Sequence, residues 1–326
     1  MKALVCEHYG PPEELVFGDV ASPEPGVGEI LIEAAFCGLN FPDSLIIQNK
    51  YQIKPPLPFS PGGEVAGKIV KTGPGVQGFA VGDRVAALTN WGAFAEYVVA
   101  SAAQTTLVPE SMDLATASAF TLAYGTSHHA LVQRAQLRAG ERILILGAAG
   151  GVGLAAVEIA KALGAHVIAA ASSAEKLALA RAHGADELVN YTTDDLKTTM
   201  KALTGGRGVD VVFDPVGDRL ADPAFRSIGW GGRYLVIGFA GGQIPSLPLN
   251  LPLVKGASIV GVFWGDFVAR SPVLHAQNMA ELYAWHAAGK LKPLVSVRFP
   301  LAQGGDAIRW MMERKAVGKV VVEITR

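Results

Sequence analysis

The sequence predicts an α/β fold in which a β-rich domain accompanies a doubly wound parallel-sheet domain. Its 326 residues are enough for roughly two domains, and half of them are hydrophobic, so a sizeable core can be buried. Before about residue 122, short apolar runs alternate with turns rich in proline and glycine, whereas beyond it strand-like runs alternate with helical patterns. This change predicts two architectures along one chain.

The first part of the chain is predicted to be rich in β-strands. Short apolar runs at 30–36 and 65–70 have the length and composition of strands. Segments dense in proline cannot form central strands or helix interiors, so they indicate turns between the strands. Such turn clusters lie at 23–28, 55–61 and 73–78.

The middle of the chain repeats β-α units. Continuous apolar strands that alternate with helices form parallel sheets covered on both faces, which predicts a doubly wound sheet here. The predicted strands are 142–146, 167–171, 187–190, 209–213 and 233–237. The predicted helices are 152–163, 174–183, 194–203 and 219–228.

The last part of the chain returns to a looser pattern. We expect a long amphipathic helix over 267–286, a strand over 294–299, a helix over 304–315 and a closing strand over 319–324. The simplest organisation is a cofactor domain inserted into the β-rich domain. The predicted domains are 1–122 with 264–326 for the β-rich domain, and 123–263 for the inserted one.

Composition excludes several classes of protein. The 28 basic and 29 acidic residues nearly cancel, which is unlike a nucleic-acid or membrane-surface binder and favours a small-molecule ligand. Two cysteines cannot build a disulfide scaffold or a four-cysteine zinc site. No run of 18 apolar residues and no signal-peptide core occurs. The sequence therefore predicts a soluble cytoplasmic protein with reduced thiols.

A glycine-rich turn is the strongest local signal. The apolar run 143–146 leads into a turn and helix start that contain Ala149, Gly150, Gly151, Val152 and Gly153. Glycines let the backbone approach a pyrophosphate, and the helix N-terminus offers it N–H groups. Because the strand, the helix and the next strand have the expected spacing, the turn predicts a dinucleotide site rather than a turn kept only for packing.

The end of the next strand favours NADPH. An NAD site places an acidic side chain here to bind the ribose 2′-hydroxyl, but residues 169–173 contain no acid. Ser172, Ser173 and Lys176 instead suit a 2′-phosphate. The alternative is that Ser172 and Glu175 form a helix capping box and Lys176 is a solvated surface residue. Both roles can coexist, with Ser173 and Lys176 left for the phosphate.

Five motifs in one order carry a resemblance that covers essentially the whole chain. They are CGLNFPD at 37–43, PGGEVAG at 61–67, AAGGVG at 148–153, GVDVVFDPVG at 208–217 and GVFWG at 261–265. The chain resembles the zinc-independent quinone oxidoreductase branch of the medium-chain dehydrogenase/reductase superfamily. The resemblance implies a GroES-like β-rich catalytic domain, a Rossmann domain and a homodimer formed at the strand edge near 259–263.

The resemblance also bears on metal binding. The alcohol dehydrogenases of this superfamily bind a catalytic zinc through a cysteine and a histidine, at positions that Asn40 and Gly63 occupy here. Asparagine and glycine do not replace these ligands. His128 and His129 are adjacent, so on a helix they point in different directions. We therefore expect no metal.

The resemblance further implies the site residues. Asn40, Asp43 and Tyr51 are expected to line the substrate side of the cleft, with Thr126 near the nicotinamide. Lys176 and Tyr191 are expected at the adenosine phosphate. The remaining residues expected to face the cofactor follow strand ends and are Asp214, Val216, Gly217, Gly238, Phe239, Ala240, Phe263, Trp264 and Gly265.

Structural alternatives exist for several of these residues. Asn40 and Asp43 can cap a turn or helix start, and Tyr51 can be a surface aromatic that covers the proline cluster. Phe263 and Trp264 can belong to the core or to a subunit interface. Leu45 stands where some quinone reductases of the family carry a second tyrosine, which gives a more apolar wall.

Three functions follow from these expectations. Without a Lewis acid, an electron-poor acceptor is the natural substrate, so the first hypothesis is hydride transfer from NADPH to a quinone. The second is reduction of an enone, enal or enoyl-thioester. The third is an NADPH-binding protein with negligible turnover. No general acid is evident, so the product proton is expected from solvent or from Tyr51.

Overall fold

The computed structural model describes residues 1–324 and divides into two compact units. The first unit contains Met1–Leu122, Val268–Tyr283 and the described part of the segment that begins at Pro293. The second unit contains Ala123–Phe267 and Ala284–Lys292. Residues 264–267 and 284–292 thus lie in the second unit, whereas the sequence assigns them to the β-rich domain.

The described part of the chain forms strands and helices that are numbered in chain order. The strands are β1 (Lys2–Val5), β2 (Val16–Asp19), β3 (Glu29–Gly38), β4 (Glu64–Thr72), β5 (Arg84–Leu88), β6 (Tyr97–Ser101), β7 (Thr105–Leu107), β8 (Arg142–Leu146), β9 (His166–Ala171), β10 (Glu187–Asn190), β11 (Val209–Asp214), β12 (Ile228–Val236), β13 (Ser258–Gly261), β14 (Val295–Pro300) and β15 (Lys319–Glu323). The helices are α1 (Phe41–Ile46), α2 (Leu114–Ser118), α3 (Thr121–His128), α4 (Gly151–Ala162), α5 (Ala174–Ala182), α6 (Leu196–Leu203), α7 (Ala221–Arg226), α8 (Asn250–Lys255), α9 (Trp264–Arg270), α10 (Pro272–Ala287) and α11 (Gly304–Met312).

The first unit is built on a mostly antiparallel sheet in the order β14-β15-β3-β4-β5-β7, with β6 also paired to β3. Strand β15 is antiparallel to β3 and parallel to β14. Alternate residues of β3, including Ile30 and Ile32, are fully buried in one apolar core with residues of β4, β5, β6 and β15. The β-rich prediction for this part of the chain is confirmed.

The second unit is built on a six-stranded parallel sheet in the order β10-β9-β8-β11-β12-β13. The order reverses between β8 and β11, which makes the carboxyl end of β8 the place where ligands bind in such sheets. The central strands are almost wholly apolar and buried, as a sheet covered on both faces requires. The doubly wound prediction is confirmed.

One predicted helix is wrong. The expected helix over 267–286 is two helices, α9 and α10, which are separated at Ser271. Pro272 has no N–H group to donate, and it disfavours the helical conformation of the residue before it. A proline is tolerated at the first position of a helix, where Pro272 begins α10.

A buried carboxyl group holds several segments of the second unit together. Glu158 of α4 accepts hydrogen bonds from the Tyr124 hydroxyl at 2.6 Å and from the Lys292 amide at 3.1 Å. The His183 ring at the end of α5 lies 2.5 Å from its second oxygen. These contacts fix α3, the helix that carries Thr126, against α4.

Among the described residues no helix is long and apolar enough to cross a bilayer.

Candidate active site

The glycine-rich turn joins β8 to α4 as predicted. Gly147 adopts a left-handed φ of 58°, and the Gly150 amide donates to the Gly147 carbonyl at 3.0 Å. A Cβ atom on Gly153 would lie 2.2 Å from the Gly147 carbonyl oxygen, so α4 packs directly on the turn. The first N–H groups of a helix have no intrahelical acceptor. The twelve-residue α4 therefore presents them, with the positive end of its dipole, beside the turn.

Polar side chains gather at the carboxyl ends of β9 and β10. The Lys176 ammonium donates to the Ser172 hydroxyl at 3.4 Å, and the Thr192 hydroxyl donates to the Ser172 carbonyl at 3.1 Å. The Tyr191 amide donates to the Ala171 carbonyl at 3.2 Å, which places Tyr191 at the same edge. An ammonium and several hydroxyl groups thus lie within one small region that suits a phosphate group.

The helix cap at this edge differs from the prediction. Ser173, rather than Ser172, is the N-cap of α5, and its hydroxyl accepts a hydrogen bond from the Lys176 amide at 3.4 Å. Ser173 is extended and Ala174 begins the helix, so the cap lies one residue later than the Ser172–Glu175 spacing indicates. Ser172 is left to contact Lys176 instead.

Asp214 shapes the next turn. Its buried carboxylate accepts hydrogen bonds from the Val216 and Gly217 amides, each at 2.7 Å, and from the Tyr234 hydroxyl. Burial raises the pKa of Asp214, since the charged form loses its hydration. Asp214 therefore holds the turn at the end of β11. Tyr234 was missed by the sequence analysis, although a tyrosine within an apolar strand indicates a polar partner.

A cavity of about 260 Å³ lies at the ends of β11 and β12. Its walls are mostly apolar, and the Asp214–Tyr234 pair forms its polar part. Three of the predicted residues, Asp214, Gly238 and Phe239, line it. The lining residues are Asp214, Tyr234, Val236, Gly238, Phe239, Ile244, Pro245, Leu247 and Ile259.

Trp264 lies against the helix that carries Thr126. A Cβ atom on Gly125 would lie 2.4 Å from the Trp264 ring, so only glycine allows this approach. Trp264 and Thr126 are both buried, whereas Phe263 is 56% exposed. Trp264 therefore belongs to the protein core, which was one of the alternatives for it, whereas Phe263 does not.

The predicted residues of the first unit surround a buried polar cluster. The two N–H groups of the Asn40 amide donate to the Gly38 carbonyl at 3.1 Å and to Glu64 at 2.9 Å. Its oxygen accepts from the Lys319 ammonium at 2.6 Å. The amide is therefore fully used within the protein and fixed in one orientation.

Asp43 completes this cluster. One of its oxygens accepts a hydrogen bond from the Asn40 backbone N–H group at 2.7 Å, at the start of α1. This contact is the helix capping that the sequence offered as an alternative role for Asp43. Burial raises the pKa of Asp43 to about 7. Tyr51 is half-buried and packs on the apolar core, which excludes a purely surface role. Burial and the charge of Asp43 raise the pKa of Tyr51.

Glu64 and Lys319 were missed by the sequence analysis. Glu64 is fully buried and Lys319 is 7% exposed. Each is a charged residue that opens an apolar strand, β4 or β15, and that position is the signal that could have identified them. The predicted site residues thus form two groups, one in each unit.

The histidine pair is separated as predicted. The His129 ring stacks on Phe267 with centroids 4.0 Å apart, and the His128 ring lies beside Trp285. Within residues 1–324, no group of three or more His, Cys, Asp or Glu side chains is arranged to hold a metal ion.

Two family models match the chain. The alcohol dehydrogenase GroES-like domain matches residues 26–110, and the zinc-binding dehydrogenase model matches residues 151–281. With the two sheets described above, these matches confirm the GroES-like and Rossmann architectures expected from the sequence.

Known proteins are similar over nearly the whole chain. Quinone oxidoreductase-like protein 2 of Rattus norvegicus is 37% identical over 99% of this chain and 92% of its own length. A mycobacterial protein solved in complex with NADPH is 32% identical, with a TM-score of 0.94 over 99% of this chain and 100% of that one. Escherichia coli quinone oxidoreductase, also solved with NADPH, is 27% identical, with a TM-score of 0.93 over 99% and 100% of the two chains.

Substitution of Gly153 tests the turn. Gly153→Ala places a methyl group against the Gly147 carbonyl, so α4 must move away from the turn. In a fluorescence titration we expect the affinity for NADPH to fall at least about tenfold, which corresponds to about 1.4 kcal/mol of binding free energy. Gly18→Ala, which meets no atom within 4 Å, is the matched control. Unchanged affinity in Gly153→Ala would show that the close packing of α4 is not needed.

Proposed function

This chain belongs to the quinone oxidoreductase branch of the medium-chain dehydrogenase/reductase superfamily, and we propose that it transfers a hydride from NADPH to a quinone without a metal ion. The observation that carries the proposal is the glycine-rich turn at the reversal point of the parallel sheet, where α4 begins. Such a turn accommodates the pyrophosphate of a dinucleotide. When bound, NADPH supplies the hydride.

The choice of NADPH rests on the ends of β9 and β10. Ser172, Lys176 and Thr192 are joined by hydrogen bonds there, and residues 169–173 include no acid. An acid would attract the ribose hydroxyl of NADH and repel a phosphate. Hydroxyl groups and an ammonium instead bind the 2′-phosphate.

The proposal that no metal ion takes part rests on the side chains that the first unit offers as ligands. Asn40 and Gly63 offer an amide and no side chain at the positions of the family's zinc ligands. The Lys319 ammonium already bonds to the Asn40 oxygen and to Glu64, so a second cation there would meet like-charge repulsion. Without a Lewis acid, an acceptor that is already electron-poor fits best, which favours a quinone.

Initial rates of NADPH and NADH oxidation test this function. The acceptors are matched ortho- and para-quinones, enals and acyclic enones, with a chelator present throughout. We expect turnover that resists the chelator, prefers NADPH and is confined to quinones. Turnover confined to enals or enones would move the protein to the alkene reductases. Tight NADPH binding without turnover on any acceptor would refute the quinone assignment and favour a binding protein.

Removal of the Lys176 ammonium tests the cofactor assignment. Lys176→Ala removes a charge-assisted contact to the 2′-phosphate, so we expect the Kd for NADPH to rise about tenfold while that for NADH changes little. Lys201→Ala, at an exposed lysine of α6, is the control. Equal losses for the two cofactors would refute the phosphate contact.

We also propose that the protein is a homodimer formed at the free edge of β13. An exposed edge strand is a template for pairing with another chain. Apolar side chains are exposed along and near this edge, which marks an interaction surface. They are Trp230 (83%), Ile244 (77%), Leu249 (80%), Leu253 (78%), Val254 (63%), Ile259 (43%) and Phe263 (56%).

A charge on the edge strand tests the dimer. Ile259→Lys would place an ammonium in the apolar contact, and we expect a monomer at micromolar concentration by light scattering. Val27→Lys, at a residue of the first unit that is 82% exposed, should leave the wild-type mass unchanged. A wild-type protein that is monomeric under the same conditions would refute the proposed interface.

A further inference from the structure

One carboxyl group lies where three helices of the second unit meet. Glu158 of α4 is 4% exposed, and its two oxygens contact three other parts of the chain. The Tyr124 hydroxyl of α3 donates to Oε2 at 2.6 Å, and Nδ1 of His183, the C-cap residue of α5, lies 2.5 Å from Oε1. The Lys292 amide lies 3.1 Å from both oxygens. Since each of these partners can donate a hydrogen, they compensate the burial of the carboxylate.

Helix α3 is attached to α4 on both sides of Thr126. Tyr124 precedes Thr126 and bonds to Glu158. Ser127 follows Thr126, and its hydroxyl donates to the Val152 carbonyl at 2.8 Å in the first turn of α4. These two bonds fix the position of Thr126 relative to the glycine-rich turn from which α4 starts.

Helix α5 is attached to the same carboxyl group at its C-terminal end. Its first turn contains Lys176, whose ammonium contacts Ser172 at the edge that suits a 2′-phosphate. The helix has nine residues, so it spans about 13 Å and moves as one body. A displacement of the end at His183 therefore also displaces Lys176.

Apolar packing holds α5 less firmly than it holds α4. Of the nine described residues of α5, two are buried, Leu177 and Ala180. In α4, eight of the twelve residues are buried. The contact between His183 and Glu158 therefore adds a fixed point to a helix that has few buried side chains, and α4 is the firm element to which it is fixed.

We propose that Glu158 is a positioning residue for NADPH, which sets the distance between the groups that bind the two ends of the cofactor. Through Tyr124 it holds Thr126 at the nicotinamide end, and through His183 it holds Lys176 at the 2′-phosphate end. This inference rests on the proposed function, which places NADPH on the glycine-rich turn. It goes beyond that function because Glu158 is buried and acts through other residues.

Tyr124→Phe tests the link to the nicotinamide end. The variant removes the hydroxyl bond to Glu158 and keeps the ring, so Thr126 loses one of its two attachments. We expect kcat to fall about tenfold, which is within the range for a displacement of up to about 1 Å. The fluorescence anisotropy of bound NADPH, which reports how firmly the nicotinamide is held, should also fall. The Kd of adenosine 2′,5′-bisphosphate, which has no nicotinamide, should stay at the wild-type value.

His183→Leu tests the link to the phosphate end. The variant releases the end of α5 from Glu158, so Lys176 is less well placed. We expect the Kd values of NADPH and of adenosine 2′,5′-bisphosphate to rise about threefold to tenfold. The Kd of NADH, which has no 2′-phosphate, should change little, and the anisotropy of bound NADPH should stay at the wild-type value.

Two variants of the same chemistry are the controls. Tyr9→Phe removes a hydroxyl bond of 3.0 Å to the Pro55 carbonyl in the first unit. His166→Leu removes a ring that lies 3.8 Å from Asp186 at the start of β9, the opposite end of the strand from Ser172. Both controls should keep the wild-type kcat and Kd values.

The outcomes separate positioning from a merely structural role. A structural role lowers the thermal unfolding temperature and changes kcat and all Kd values alike, or none of them. Either of these results in both variants would overturn the inference, and a variant without its own pattern would overturn the link that it tests. Both variants keep Glu158, so the test does not require Glu158→Ala to fold.

The titrations and the anisotropy need no acceptor. A protein that binds NADPH but reduces no acceptor would therefore refute the proposed function, while these two measurements would still decide the inference.

Discussion

A buried ion pair joins parts of the first unit that are far apart in the sequence. Lys319 opens β15 near the end of the chain, and Glu64 opens β4, yet their charged groups lie 3.3 Å apart with Asn40 between them. A buried ion pair adds stability only when further hydrogen bonds satisfy its remaining atoms. Those bonds come from the backbone at Leu39 and Leu122, so the pair fixes the strand β3, the start of α1 and the chain that enters α3. The orientation of Asn40 and the charge environment of Asp43 both depend on this arrangement.

The sequence predicted the second unit better than the first because its signals are local. The strands β8 and β9 are nearly continuous apolar runs, and each is followed by a helix, so this alternation indicates the architecture. The order of the strands in the sheet could not be predicted in this way, because it depends on contacts between residues that are far apart in the sequence. The break at Ser271 was missed because the apolar pattern continues across Pro272, although the proline itself indicates it.

The same distinction applies to the candidate site. The turn at Gly147–Gly153 could be predicted because phosphate binding needs glycines, a strand and a helix start within a few residues. The cap at Ser173 differs from the predicted one by a single residue, which is within the usual uncertainty of helix ends. Glu64 and Lys319 could not be paired from the sequence, because nothing local indicates that two charged strand ends meet across 255 residues. Asn40 was expected from the family to line the substrate side, but its amide is used inside the protein.

The position of β15 in its sheet has a consequence for the order in which the protein folds during synthesis. The six strands of the second unit lie within residues 142–261, so this unit is complete before β14 and β15 have been made. The first unit has most of its strands early, but β15, which pairs with β3 and supplies the ammonium for Glu64, is translated after all the other described strands. Contacts of such long sequence separation form slowly. The first unit is therefore expected to finish folding second, and until then the stretch Phe36–Gly38 of β3 and the carboxylate of Glu64 lack their partners from β15, which exposes them to wrong contacts.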